Sequence, residues 1–68
     1  MIEAYVVRDP QGRVIGMSVV TFSRAVADAR ANLGYVDWVP FGELTRVFLK
    51  TGSATVSGYT LKREQVAL

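Results

Sequence analysis

Residues 21–33, followed by Gly34, constrain the fold of this chain more than any other stretch. Phe22, Val26, Ala29 and Leu33 recur at the spacing of successive helical turns and so line one face of an α-helix. Ala25 widens that stripe, while Arg24, Asp28 and Arg30 point largely elsewhere. The Thr21 hydroxyl can accept from a free N–H of the first turn, and Gly34 can take the left-handed conformation that closes a helix. An amphipathic helix is stable only against an apolar surface, so the remaining residues must supply one.

The residues before the helix read as a β-hairpin. Ile2, Ala4 and Val6 alternate with Glu3, Tyr5 and Val7, and β-branched side chains fit a pleated surface. Asp9-Pro10-Gln11-Gly12 is a turn: Pro10 presets its dihedral, Asp9 can bond its own backbone, and Gly12 supplies the positive φ of a bulged hairpin. Residues 13–20 return as the partner strand, with Ile15, Met17 and Val19 on one side and Val14, Gly16 and Ser18 on the other. The small residues Gly16 and Ser18 would let the helix lie close.

Beyond the helix, residues 35–39 read as a strand stopped by Pro40, which places that segment at a sheet edge or its end. Residues 41–50 carry two signals. Phe41, Leu44 and Phe48 are spaced for a helix, but Thr45-Arg46-Val47-Phe48-Leu49 is rich in strand formers and Gly42 weakens a helix. A strand over residues 44–50 is favoured. Thr51-Gly52-Ser53 then turns the chain, and residues 54–62 form a further strand. Val56, Tyr59 and Leu61 are its packed residues, and Gly58 marks a bulge or a close approach. Residues 63–68 are expected as a frayed tail or a short docking turn. The expected fold class is therefore α+β in a single domain, 1–68. A β-hairpin, an α-helix and two or three further strands form a mostly antiparallel sheet, with one helix packed on one face. The other face should stay uncovered and hold the surplus apolar and aromatic side chains.

Size and composition narrow the function. A chain of 68 residues buries only about 60% of the surface that its unfolded form exposes, yet half of these residues are hydrophobic. Some of the apolar material is thus expected to face a partner protein or a second copy in a homodimer. The absence of histidine and cysteine excludes serine–histidine and cysteine–histidine nucleophiles and zinc-finger ligand sets. The carboxylates Glu3, Asp9, Asp28, Asp37, Glu43 and Glu64 are dispersed, which gives no pair for glycosidase-type chemistry. Lys50-Thr51-Gly52 matches one fragment of the penicillin-binding serine enzymes, but the chain lacks their Ser-x-x-Lys element. A turn accounts for these residues better. No enzyme activity, cofactor, metal or small-molecule substrate is expected. No signal peptide or membrane span is evident, so the expected location is cytoplasmic.

Two binding readings follow. In the first, Trp38 and Phe41 flank a proline-stiffened bend and anchor a partner protein, with Arg46 and Tyr59 contributing. Against it, Trp38 and Phe41 would simply complete a thin core. In the second, Arg8, Arg13, Arg46, Lys50, Lys62 and Arg63 share one side of the sheet and bind nucleic acid, with Tyr5, Tyr59 or Trp38 stacking on bases. A net charge of +2 is weak support for that alternative. The leading expectation is a non-enzymatic binding module that inhibits or regulates by occupying a protein surface. Its build suits the accessory proteins of phages and mobile elements, such as an inhibitor of a host defence complex, although no motif carries that likeness.

Overall fold

The chain runs β1 (Ile2–Arg8), β2 (Val14–Ser18), α1 (Phe22–Asn32), α2 (Phe41–Thr51), β3 (Ser53–Val56) and β4 (Tyr59–Val66). The computed structural model describes residues 1–34 and 39–67. The four strands form one sheet in the order β2-β1-β4-β3, with every neighbouring pair antiparallel. The first and last strands meet at its centre, in register from Ile2 opposite Val66 to Arg8 opposite Thr60. The fold is thus α+β with an antiparallel sheet, but it has two helices where the sequence indicated one.

The first half forms as its residues indicate. Asp9 Oδ1 accepts from the N–H groups of Gln11 (3.0 Å) and Arg13 (2.9 Å), and Gly12 takes φ +85°. Thr21 Oγ1 accepts from the Arg24 N–H at 3.2 Å, capping α1, and Gly34 follows the helix at φ +77°. Gly16 does more than permit a close helix. A Cβ there would lie 2.3 Å from the Ala25 carbonyl oxygen and 2.8 Å from the Ala29 Cβ, so α1 rests directly on the β2 backbone. The register also slips beside Gly16: Val7 faces Gly16, but Arg8 faces Val14. Ile15 is the extra residue of this bulge, and it packs against the helix-side core rather than sharing a face with Met17.

The second half corrects the expectation. Residues 41–51 are helix α2, not a strand over 44–50. As a strand, this segment would place Leu44 and Phe48 on the same face as Arg46 and Lys50. As a helix, it buries Phe41, Leu44 and Phe48 together and leaves Arg46 and Lys50 in solvent. Burying those three side chains contributes roughly 5–9 kcal/mol, more than the few tenths per residue lost through the poor helix propensity of threonine, valine and phenylalanine. Gly42 sits in the first turn, and Gly52 closes the helix at φ +81° with its N–H on the Phe48 carbonyl at 2.8 Å. The expected continuous strand over 54–62 is instead a hairpin. Ser57 (φ +53°) and Gly58 (φ +84°) form a two-residue turn between β3 and β4, close to Pro10 of the first turn. The expected tail is ordered as well, since β4 runs on through Val66. The strand expected over residues 35–39 lies outside the described residues except for Val39, which is buried.

Both helices cover the same face of the sheet. There Val7 and Leu61 meet Ala25, Val26 and Ala29 of α1 and Phe41, Leu44 and Phe48 of α2. Tyr5, Phe22 and Phe48 form an aromatic cluster with ring centroids 5.3–6.4 Å apart, and Arg30 lies 5.4 Å from the Phe41 ring centre.

This packing sets opposite outcomes for two glycine substitutions. Gly16→Ala should destabilise the fold by about 1–3 kcal/mol, because overpacking against helix backbone exceeds the gain in strand propensity. Gly42→Ala meets open space and should be neutral or stabilising by up to about 1 kcal/mol. Urea titrations of the two variants against the wild type measure both.

Candidate functional site

The residues that the sequence offered as partner anchors do not form one surface. Phe41 and Tyr59 are buried in the helix-side core with ring centroids 6.4 Å apart, so a partner cannot reach them on the folded chain. Their helical and strand positions place them on the covered face, where a thin core needs large side chains. Arg46 is exposed on the outer side of α2, ion-paired with Glu43. Trp38 lies outside the described residues.

The six basic residues are likewise dispersed. Arg8 and Lys62 stand on the face away from the helices, Arg13 on the first turn, and Arg46 and Lys50 on α2. Arg63, opposite Tyr5, lies on the other side of β4 from Lys62 and reaches Glu3 at 3.8 Å. Tyr5 and Tyr59 point into the helix-covered core and are not available to stack on bases. The described aromatics all belong to that core, which corrects the expectation of an aromatic open face.

The face opposite the helices is instead an aliphatic surface with a charged roof. Strand alternation places Ile2, Ala4, Val6 and Arg8 of β1 there, beside Val14 and Met17 of β2 and Thr60, Lys62, Glu64 and Val66 of β4. Met17, Val6 and Lys62 form one row across the sheet. Val6 is fully buried although no helix covers it. The register accounts for this: Arg8 opposes Thr60 and Glu64 opposes Ala4, so a bridge between Arg8 and Glu64 passes over the Val6–Lys62 pair. That bridge is bidentate, with Arg8 Nε donating to Glu64 Oε2 at 3.0 Å and Nη2 to Oε1 at 2.9 Å. The remaining nitrogen, Nη1, donates to the Gly12 carbonyl at 2.6 Å. Ile2, Val14 and Met17 lie outside this roof and are exposed, Val14 by half. Val19 and Val20, which follow β2, are exposed as well.

Both sheet edges are blunted. On the β2 edge, Asp28 Oδ2 accepts from the Met17 N–H at 3.2 Å, and Asn32 Nδ2 donates to the Ile15 carbonyl at 2.6 Å. These groups sit one turn apart on α1, which therefore occupies the backbone positions that another strand would use. On the opposite edge, β3 has only four residues, and the Thr51 hydroxyl donates to the Ser53 carbonyl at 2.5 Å. Among the described residues, the open face is the side of the sheet that no helix covers.

No protein-family model, curated protein or solved structure matches this chain. One sequence signal could have located the face. Both alternating sets of β1 are apolar, Tyr5 with Val7 and Ala4 with Val6, and a strand apolar on both sides needs cover on both.

The roof carries a pH signature. Hydrogen bonds from Arg8, and then its charge, hold the Glu64 carboxyl below its usual range against partial burial. Burial pushes the Asp9 carboxyl up, but hydrogen bonds and charge from Arg13, together with the Gln11 N–H, outweigh it and leave Asp9 lowered too. A carboxyl whose folded pKa is lowered contributes stability that is complete above its unfolded pKa, about 4, and is lost as pH falls through the folded value. Glu64→Gln should therefore be less stable than the wild type at neutral pH, with the gap shrinking steadily below about pH 4. Urea midpoints of the two proteins across an acid series give the comparison.

Proposed function

We propose that this protein is a non-enzymatic binding module that inhibits or regulates another protein by occupying its surface, and that the open sheet face makes the contact. The observation that supports this reading most directly is the exposure of Ile2, Val14 and Met17 together on the face without helices. Surface apolar residues that share a continuous face are the usual mark of a contact surface, unlike scattered ones. A non-catalytic role is supported by the lack of histidine and cysteine. It is supported also by the structural contacts that occupy Asp9, Asp28 and Glu64. Size and build further suit a phage or mobile-element accessory protein, an inhibitor of a host defence complex being one instance. Nucleic-acid binding, the alternative, has less support, because the basic residues are spread over several surfaces and the described tyrosines lie inside.

Val14→Asp and Met17→Asp should each abolish capture of the partner from cell extract while leaving the circular dichroism spectrum unchanged. Leu49→Asp is the control, since Leu49 is more exposed than either but lies on α2. Trp38→Ala completes the panel. Retained capture by both face variants, or its loss in the Leu49 variant alone, would sink the reading.

A further inference from the structure

The open face is chemically one-sided. Its charged groups are Arg8, Lys62 and Glu64, which sum to 2 − 1 = +1. Both oxygens of the one carboxylate are taken by Arg8, and all three guanidinium nitrogens of Arg8 are taken by Glu64 and Gly12. Lys62 is exposed at the centre of the face and has no ion-pair partner among the described residues. Arg13 stands on the first turn, outside this face, and is ion-paired with Asp9. The face thus presents the Lys62 ammonium beside apolar side chains, while both oxygens of its own carboxylate already accept from Arg8.

We infer that the partner surface bound by this face is a protein surface carrying a carboxylate beside an apolar centre, with Lys62 receiving the carboxylate and Val14 and Met17 the apolar side chains. The inference rests on the reading of the open face as the binding surface. Charge complementarity selects this occupant over the others. A second copy docked through the same face would offer another cation and, among the described residues, only the Glu64 carboxylate already bridged to Arg8, and both sheet edges are blunted against strand pairing. A nucleic acid would satisfy the cation but leave Val14 and Met17 against a polar strand, with no aromatic among the described residues of this face to stack on a base.

The test selects a random displayed-peptide library on the immobilised full chain, with the winners resynthesised. Peptides enriched in aspartate and glutamate among apolar residues are expected. Their affinity should fall by about three- to fivefold in Lys62→Glu and in about 0.5 M salt, and be lost in Met17→Asp. Winners that are basic or uncharged, or that bind Lys62→Glu as well as wild type, overturn the acidic partner while leaving the binding face standing. Winners indifferent to Met17→Asp overturn the face itself. Tighter binding to a single-stranded oligonucleotide than to any selected peptide, or a dimer in sedimentation that Met17→Asp dissolves, also overturns the proposal.

Discussion

Pairing of the first strand with the last is the interaction on which the rest of this structure depends. Ile2 meets Val66 and Arg8 meets Thr60, so the sheet closes only when nearly the whole chain is in place. Closing a loop of about 60 residues costs roughly 3–4 kcal/mol in chain entropy before any contact returns it. Seven register pairs, with Val7 beside Leu61 on one face and the Arg8–Glu64 bridge on the other, offset that cost. Each outer hairpin then adds to one side of this central pair, and each brings the helix next to it in sequence. The two helices converge on one face because β1 and β4 present Tyr5, Val7, Tyr59 and Leu61 there.

The same central pair explains the character of the opposite face. Ala4 and Val6 must be kept from water, but both helices are already committed to the other side. The roof of Arg8 and Glu64 shields Val6 without adding an element, since a bidentate pair can span two strands. Its reach ends at β2, and Val14 and Met17 on the same face stay exposed. The shape of the proposed binding surface is therefore a consequence of where the cover runs out. The edge of β2 could have been a second sticky feature, but Asp28 and Asn32 occupy outward backbone groups of Met17 and Ile15 there.

The second half of the chain shows how a correct local signal can lose to a competing one. Residues 45–49 have the composition of a strand, and composition outweighed the spacing of Phe41, Leu44 and Phe48. The deciding consideration was present in the same residues: strand alternation would have buried Arg46 and Lys50 beside Phe48. Ser57-Gly58 is likewise a pair suited to a two-residue turn, where residue type alone indicates a bulge or a close approach within one strand; the close approach is to Pro10. Neither error concerned long-range structure. Each weighed residue type above the geometry that the residues would impose on their neighbours.

What the sequence alone determined is local. The capped α1 and the Asp9–Gly12 turn follow from residues within a few positions of one another, and composition by itself excludes histidine- and cysteine-based chemistry. Caps, turns and periodicity depend on steric and hydrogen-bonding preferences that act over one or two turns of chain, so they can be read directly. Only the tertiary structure decided that β1 lies beside β4, that Phe41 and Tyr59 turn inward, and that Arg8 finds Glu64 across 56 positions of sequence. Those choices among possible registers turn on the burial of all the elements together, and no short stretch of sequence contains that sum.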